Sequence, residues 1–335
     1  MGNKPSAANK TRVGINGFGR IGRNLFRLLL DHPGLEVVAI NDIAPSATLA
    51  HLLKYDSIHG VLKKEISSVE GFIQINDKKI PVYKEQEPGN IPWNEQEVQV
   101  VVESTGKFKT RQQLETHLQQ GVKTVILSVP PLDDSIKMIV MGVNEDLLDG
   151  SENIISNASC TTNNAAPMLK VVHELAIVQQ AYITTVHSYT TDQSLHDQPH
   201  KDLRRARAAG QSIVPTTTGA AKALTRIFPE LSEVIGGCGI RVPVPNGSLT
   251  DMTLHVKKEV TIEEINAAFK KAASGELKNI LEYTEDPIVS IDINGNPNSC
   301  VFYFYPEFMF FAVCFNFFNQ NTYRAFIGKF NSIRG

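Results

Sequence analysis

The sequence has few cysteines, almost no net charge and no stretch that reads as a secretory signal, and each shortage argues against a class of function. Its four cysteines, Cys160, Cys238, Cys300 and Cys314, lie far apart, with no CxxC pair and no regular spacing. That pattern is neither a disulfide framework nor a zinc site; it suits a reducing compartment and leaves room for one reactive thiol. The 33 Lys and Arg nearly balance 35 Asp and Glu, a formal charge of −2, which gives no electrostatic footing for nucleic acid or an anionic membrane. Met1 to Thr11 is polar and lacks an apolar stretch, so no secretory signal is expected. Met1-Gly2 with Ser6 fits the minimal myristoylation pattern, but that pattern is short, and a disordered leader is the simpler expectation. The chain is therefore expected in the cytoplasm, with no metal, nucleic-acid or membrane partner.

What is present suits a globular protein of about two domains. Apolar residues make up 42% of the 335 and charged residues 20%, ordinary values for such a chain. Order is expected from Arg12. Val13 to Asn16 reads as a short buried strand, and a helix follows with Ile21, Leu25, Leu28 and Leu29 on one apolar face. Leu35 to Ile40, Val98 to Val102, Thr124 to Leu127 and Lys137 to Val140 read as further strands between helical or turn-rich stretches. This alternation predicts an open, mostly parallel α/β sheet. After about residue 158 the pattern changes. A helix over Cys160 to Glu174 precedes a strand over Ala181 to His187 and a long polar segment, Ser188 to Ala209. Strands at Ile240 to Val244 and Ser248 to Lys257 follow, then a helix over Ile262 to Ala273 that opens on a Thr261/Glu264 capping box.

Gly17-Phe18-Gly19-Arg20-Ile21-Gly22 lies where the first strand gives way to the first helix, and Asp42 stands 20 positions after Gly22. A lone GxGxxG also marks plain turns. In this setting it is the dinucleotide fingerprint of a Rossmann-like, doubly wound sheet. Gly17 permits the tight turn, Gly19 lets backbone approach a pyrophosphate, and Gly22 lets the helix pack on the strand. The helix start offers free N–H groups to phosphates. Asp42 would accept from the adenosine ribose and repel a 2′-phosphate, so NAD is favoured over NADP.

The second constellation is Ser159-Cys160-Thr161-Thr162-Asn163, with His187 in a Val-His-Ser-Tyr-Thr run. A cysteine at a helix start gains thiolate character from backbone N–H groups, and a nearby imidazolium lowers its pKa further. By spacing alone, Cys160 reads equally as a small core residue and His187 as a satisfied strand histidine.

The run RVGINGFGRIGR (Arg12 to Arg23), Glu103-Ser104-Thr105-Gly106, SNASCTTNN around Cys160 and TTVHSYT around His187 together resemble the phosphorylating, NAD-dependent glyceraldehyde-3-phosphate dehydrogenases. DLRRARAA (Asp202 to Ala209), PTTTGAAKA (Pro215 to Ala223) and RVPVPN (Arg241 to Asn246) extend the resemblance in order, over roughly residues 12 to 300. It implies an NAD-binding Rossmann domain over 12–158 and an α+β catalytic domain over 159–300. It further implies oxidation of glyceraldehyde 3-phosphate to 1,3-bisphosphoglycerate with NAD and inorganic phosphate, through a thioester on Cys160 with His187 as base.

By the same resemblance, Thr190 and Arg241 belong to the site for the substrate's own phosphate. Ser159, Thr161, Thr218 and Gly219, with Arg205, belong to the site for the attacking phosphate. Arginine brings a forked, permanently charged donor set to such a site; a solvated basic loop is the plainer reading of Arg204, Arg205 and Arg207. Arg20 and Ile21 match contacts to the pyrophosphate, and Ser128 matches a contact near the nicotinamide. Lys107 belongs to the neighbourhood of the dinucleotide rather than to its ligands. Pro199 stands where NAD-preferring members keep proline, whereas Gln198 replaces their usual leucine and Gln86 a frequent arginine near adenine. Asn164 takes the place of a second cysteine that the mechanism does not require. Ser188 to Ala209 corresponds to the family's S-shaped loop, which implies a homotetramer.

Soon after Cys300 the resemblance ends. Residues 301–335 hold 10 of the 16 phenylalanines and only four charged residues, Glu307, Arg324, Lys329 and Arg334, too few for the polar face of a surface helix. The family's final strand and amphipathic helix have no counterpart motif there, and Asn321 and Tyr323 are placed by no motif. A reading-frame slip near codon 300 is the leading explanation, and a genuinely divergent tail the alternative. Two functional alternatives also stay open: a relative acting on erythrose 4-phosphate, and an inactive relative whose tail has failed it. Aspartate-semialdehyde dehydrogenase, which also joins a dinucleotide domain to a cysteine nucleophile, is disfavoured by the paired phosphate motifs.

Overall fold

A computed structural model of the chain describes residues 10–304 and the backbone of 312–315. The expectations placed on Met1-Gly2 and Ser6, on the tail phenylalanines beyond Phe304, and on Asn321 and Tyr323 lie outside the described residues. The described residues divide into two compact units, one of residues 10–138 with Leu148–Ala158, the other of Ile139–Leu147 with 159–304 and 312–315. Each is described in turn.

The first unit begins with β1 (Thr11–Asn16), α1 (Arg20–Leu29), β2 (Leu35–Asn41) and α2 (Ser46–Lys54). A small ribbon, β3 (Tyr55–Asp56) with β4 (Gly60–Val61), stands apart from the main sheet. Then come β5 (Ile66–Val69), β6 (Phe72–Ile75), β7 (Lys78–Tyr83), β8 (Val100–Glu103), α3 (Arg111–Leu118), β9 (Thr124–Leu127), β10 (Lys137–Met138) and β11 (Ile154–Ser156). The nine-stranded sheet runs β10-β11-β9-β8-β1-β2-β7-β6-β5. From β10 to β7 all pairings are parallel, and β7, β6 and β5 finish the edge as antiparallel hairpins. The central strands are covered on both faces, which is why β8 and β9 are buried throughout and read as unbroken apolar runs.

Chain order reverses between β1, whose next strand β2 lies on one side, and β8 on the other. That reversal leaves a crevice at the carboxyl ends of β1, β2 and β8, where doubly wound sheets bind ligands. The buried face of α1 centres on Gly22, Leu25, Phe26 and Leu29, with Ile21 and Leu28 only half-buried. The apolar face read from the sequence is thus turned toward Gly22. The cause is steric: a Cβ on Gly22 would stand 2.2 Å from the carbonyl oxygen of Gly17, so only glycine lets the helix pack there.

The second unit contains α4 (Cys160–Ala176), β12 (Val178–Ser188), β13 (Val214–Thr216), α5 (Ala220–Ile227), β14 (Ile235–Val242), β15 (Ser248–Val256), α6 (Ile262–Ser274), β16 (Leu281–Thr284), β17 (Cys300–Tyr303) and β18 (Ala312–Phe315). Its sheet runs β13-β14-β12-β15-β18-β17-β16, mostly antiparallel but with β12/β14 and β16/β17 parallel. The pairing therefore continues past residue 300, where β17 and β18 extend the sheet beside β15. On this side Phe269 of α6 stacks on Phe302 with ring centroids 3.8 Å apart. The Thr261/Glu264 capping box is present at α6.

Candidate active site

Cys160 is the first residue of α4, and Ser159 caps that helix by accepting from the backbone N–H of Thr162 at 3.0 Å. Ala158, just before the cap, has φ of +54°, a conformation that a residue with a Cβ adopts only under constraint. On β12, the strand after α4, His187 brings Nε2 to 3.7 Å from the Cys160 sulfur. His187 is buried and is register partner of Arg241 on β14. Nη1 of Arg241 lies 2.6 Å from His187 Nδ1 and donates to the carbonyl oxygen of Ser188 at 2.9 Å. That carbonyl is itself 2.6 Å from Nδ1.

The expected low pKa of the cysteine is not what this environment produces. Burial pushes the Cys160 thiol up, and the opposing pulls of the Thr161 hydroxyl, the Arg241 charge and nearby backbone N–H groups do not overcome it. Of the pulls toward the thiolate, only the helix start and its N–H groups are legible in the sequence; the Arg241 charge arrives through sheet register, and desolvation of the sulfur is what spacing does not reveal.

The residues expected to bind anions lie on several elements of the second unit. Thr190 follows the end of β12, where Tyr189 donates its N–H to Val244 just beyond β14. Thr161 is buried in the first turn of α4. Thr218 and Gly219 precede α5, and the Thr218 hydroxyl accepts from the Ala220 N–H at 3.2 Å. Arg205 is otherwise engaged: Nη1 is ion-paired with Asp192, and Nη2 donates to Thr216 Oγ1 at 2.8 Å. Asp192 as the partner of Arg205 was not foreseen from sequence.

In the first unit, Gly17, Gly19 and Asp42 line a crevice of about 540 Å³, together with Gln86, Thr105 and Phe108 among others. Gly17 has φ of +89°, and a Cβ there would meet the Thr105 nitrogen at 2.6 Å. At Gly19 the same atom would meet nothing within 4 Å, so that backbone is open to a ligand. Asp42 accepts from the Phe18 N–H at 2.7 Å and from the Ala44 N–H at 2.9 Å. Arg20 and Ile21 start α1, and Ser128 follows β9 with its N–H on the Glu103 carbonyl; these three lie outside the crevice lining. Among the described residues, no group of three or more His, Cys, Asp or Glu could hold a metal ion, and no helix is long and apolar enough to cross a membrane.

Residues 11–111 match the family described as the NAD binding domain of glyceraldehyde 3-phosphate dehydrogenase, and residues 159–308 match its C-terminal domain. The chain belongs to the glyceraldehyde-3-phosphate dehydrogenase family. Glyceraldehyde-3-phosphate dehydrogenase 1 of Bacillus cereus is 54% identical over 286 residues, 85% of each chain. The Geobacillus stearothermophilus dehydrogenase is likewise 54% identical over 286 residues, 85% of each chain. That of Mycobacterium avium is 52% identical over 298 residues, 87% of this chain and 88% of its own. A glyceraldehyde-3-phosphate dehydrogenase of this kind is an NAD-dependent oxidoreductase, and the crevice at Gly17, Gly19 and Asp42 lies in the matched NAD-binding domain. The family match reaches residue 308, eight residues beyond the point at which motifs cease to be readable.

Proposed function

We propose that this chain oxidises glyceraldehyde 3-phosphate to 1,3-bisphosphoglycerate, taking up inorganic phosphate and reducing NAD. The observation that carries the reading is the approach of His187 Nε2 to the Cys160 sulfur at 3.7 Å, at the start of a helix and beside Arg241. The crevice suits NAD: open backbone at Gly19, a side-chain-free turn at Gly17 and a carboxylate at Asp42. When bound, NAD supplies the two-electron acceptor for the hydride that leaves the aldehyde carbon.

The residues do the rest. His187 takes the thiol proton, the Cys160 thiolate adds to the aldehyde carbon, and the same proton passes from His187 to the resulting oxyanion to complete the hemithioacetal. His187 then holds the hydroxyl proton as the carbon is oxidised and the thioester remains on Cys160. Thr190 and Arg241 hold the substrate's phosphate. Ser159, Thr161, Thr218 and Gly219 bind the incoming phosphate, whose oxygen attacks the thioester carbonyl; the thiolate leaves and the acyl phosphate departs. Arg20, Ile21 and Ser128 contact the dinucleotide. Residues 12–158 serve as the NAD-binding domain and 159–300 as the catalytic domain. The segment from Ser188 to Ala209 packs along a subunit boundary in a homotetramer, and the enzyme works in the cytoplasm.

The test is NADH formation by the purified chain with glyceraldehyde 3-phosphate, NAD and phosphate, beside Cys160→Ser and His187→Asn. Phosphate-dependent NADH formation that vanishes in the first variant and falls about 10²- to 10⁴-fold in the second supports the reading. A faster reaction with erythrose 4-phosphate moves the assignment to that sugar. No turnover from folded protein favours the inactive relative, a reading supported by the 27 residues that follow the matched region.

A further inference from the structure

Beneath the dinucleotide crevice lies a fully buried carboxylate that the proposed chemistry does not use. Glu103 ends β8 and is wholly excluded from solvent. Its Oε1 accepts from the Thr105 N–H at 2.9 Å and from the Thr105 hydroxyl; its Oε2 accepts from Asn16 Nδ2 at the end of β1. Nε2 of His117, also fully buried, stands 3.3 Å from Oε2. The tautomer of His117 follows from its other neighbour. Trp93 Nε1 lies 3.0 Å from His117 Nδ1, and an indole nitrogen only donates. Nδ1 therefore accepts, the ring proton sits on Nε2, and His117 is the fourth donor to the Glu103 carboxylate.

The relay continues across the sheet. Asn16 Oδ1 accepts from Asn41 Nδ2 at the end of β2, and Asn41 exchanges hydrogen bonds in both directions with the backbone of Glu85 beyond β7. One buried chain of hydrogen bonds thus ties together the ends of β8, β1 and β2, the three strands whose carboxyl ends form the crevice. The Thr105 backbone it fixes is the atom group against which the Gly17 turn closes to within a Cβ's breadth. A displacement of Thr105 would reach the glycine turn directly.

We infer that Glu103 is a positioning residue for the dinucleotide, held in place by His117 and Trp93, and that it sets cofactor affinity without touching the reacting atoms. The inference rests on the crevice being the NAD site. Its logic is donor counting. Each oxygen of Glu103 faces two donors, so a glutamine amide, whichever way it is turned, opposes an N–H to donors and leaves buried groups unsatisfied.

The experiment is calorimetric titration of the full chain and of Glu103→Gln with NAD, alongside steady-state kinetics. Expected for Glu103→Gln are a dissociation constant and a KM for NAD raised by roughly tenfold. The KM for the aldehyde phosphate, kcat at saturating NAD and the alkylation rate of Cys160 stay within about twofold of wild type. A purely structural role would instead lower the melting temperature and the active fraction while the folded fraction bound NAD as wild type does; that result overturns the inference. Should Glu103→Gln fail to fold, His117→Gln decides. It removes the ring donor from Oε2 and is expected to weaken NAD binding about threefold. Trp93, the only tryptophan, reports the change through its emission. Unchanged NAD affinity in this variant overturns the inference. A wild-type chain that binds no NAD overturns the cofactor reading and this inference with it.

Discussion

Arg241 brings Nη1 to within 2.6 Å of His187 Nδ1, directly across the pairing of β14 with β12. Because the Ser188 carbonyl oxygen lies equally close to Nδ1, that nitrogen has both a donor and an acceptor within reach. With the proton on Nδ1, the ring donates to Ser188 and leaves Nε2 as a base toward Cys160. With Nδ1 accepting from Arg241, Nε2 carries the proton toward the sulfur. The guanidinium also favours the thiolate by its charge.

Arg241→Gln is therefore expected to act twice. Loss of a phosphate-binding fork raises the KM for the aldehyde phosphate by at least about tenfold. Loss of the positive charge raises the Cys160 pKa further, so alkylation by iodoacetamide at pH 7 slows by roughly tenfold. The rate-against-pH profile of alkylation checks this; a profile shifted toward lower pH would show that Arg241 restrains the thiol instead.

Gly19→Ala separates folding from binding. A methyl group there meets nothing within 4 Å, so the melting temperature should hold within a degree or two, roughly the effect of a surface change. The same methyl enters the space through which a pyrophosphate approaches the backbone, and NAD affinity should fall about tenfold or more. Calorimetry with NAD, paired with a thermal melt, checks both halves. Equal NAD affinity in the variant would place the pyrophosphate elsewhere.

Much of this was legible in the sequence, and the reasons are local. The fingerprint at Gly17 to Gly22 announces itself because glycine's tolerance of φ of +89° and of a 2.2 Å Cβ approach has no substitute. The capping box at Thr261 and Glu264 spans three residues and needs no tertiary context. Other features escaped. The first half of β14, Ile235-Gly236-Gly237-Cys238, has no apolar alternation, and its strand state comes from pairing with β12. The strands β5, β6 and β7 at one end of the sheet are half-exposed, and β7 carries Pro81, so their pattern is weak. The link from Glu103 to His117 and Trp93 exists only in three dimensions, because α3 and the short 3-10 helix that starts at Trp93 must both reach the end of β8 before the three meet. Arg241 lies 54 residues from His187 and meets it only through sheet register.

Tyr83 gives a test by pH. Burial, with the Glu95 carboxylate accepting from its hydroxyl at 3.2 Å, pushes its phenol up to about 12. The folded pKa lies above the unfolded value near 10, so the fold prefers the protonated phenol. This stabilisation is fully present below pH 10 and is lost as pH rises from about 10 to 12. Chemical denaturation across that range should show Tyr83→Phe losing less stability with rising pH than the wild type, and ultraviolet titration should show a late-ionising phenol that the Tyr83→Phe substitution removes. Identical slopes for the two proteins would mean that Tyr83 titrates normally.

Asp192 holds the guanidinium that the attacking-phosphate site would use. The pair with Arg205 is partly exposed on the carboxylate side, and such a pair contributes only about 0–1 kcal/mol to stability, so Asp192→Asn should leave the melting temperature nearly unchanged. Its effect on chemistry is larger because it removes a competing anion. With Arg205 freed from its nearer carboxylate and only Asp202 left, 3.9 Å from Nε, the KM for inorganic phosphate should fall about two- to fivefold, while the KM for NAD stays constant. Arsenate, which enters the same site as a phosphate mimic, should show the same shift. If neither KM responds, Arg205 serves to tie the loop through Asp192 and Thr216, and the attacking phosphate is bound by the hydroxyls and N–H groups of Ser159, Thr161, Thr218 and Gly219 without it.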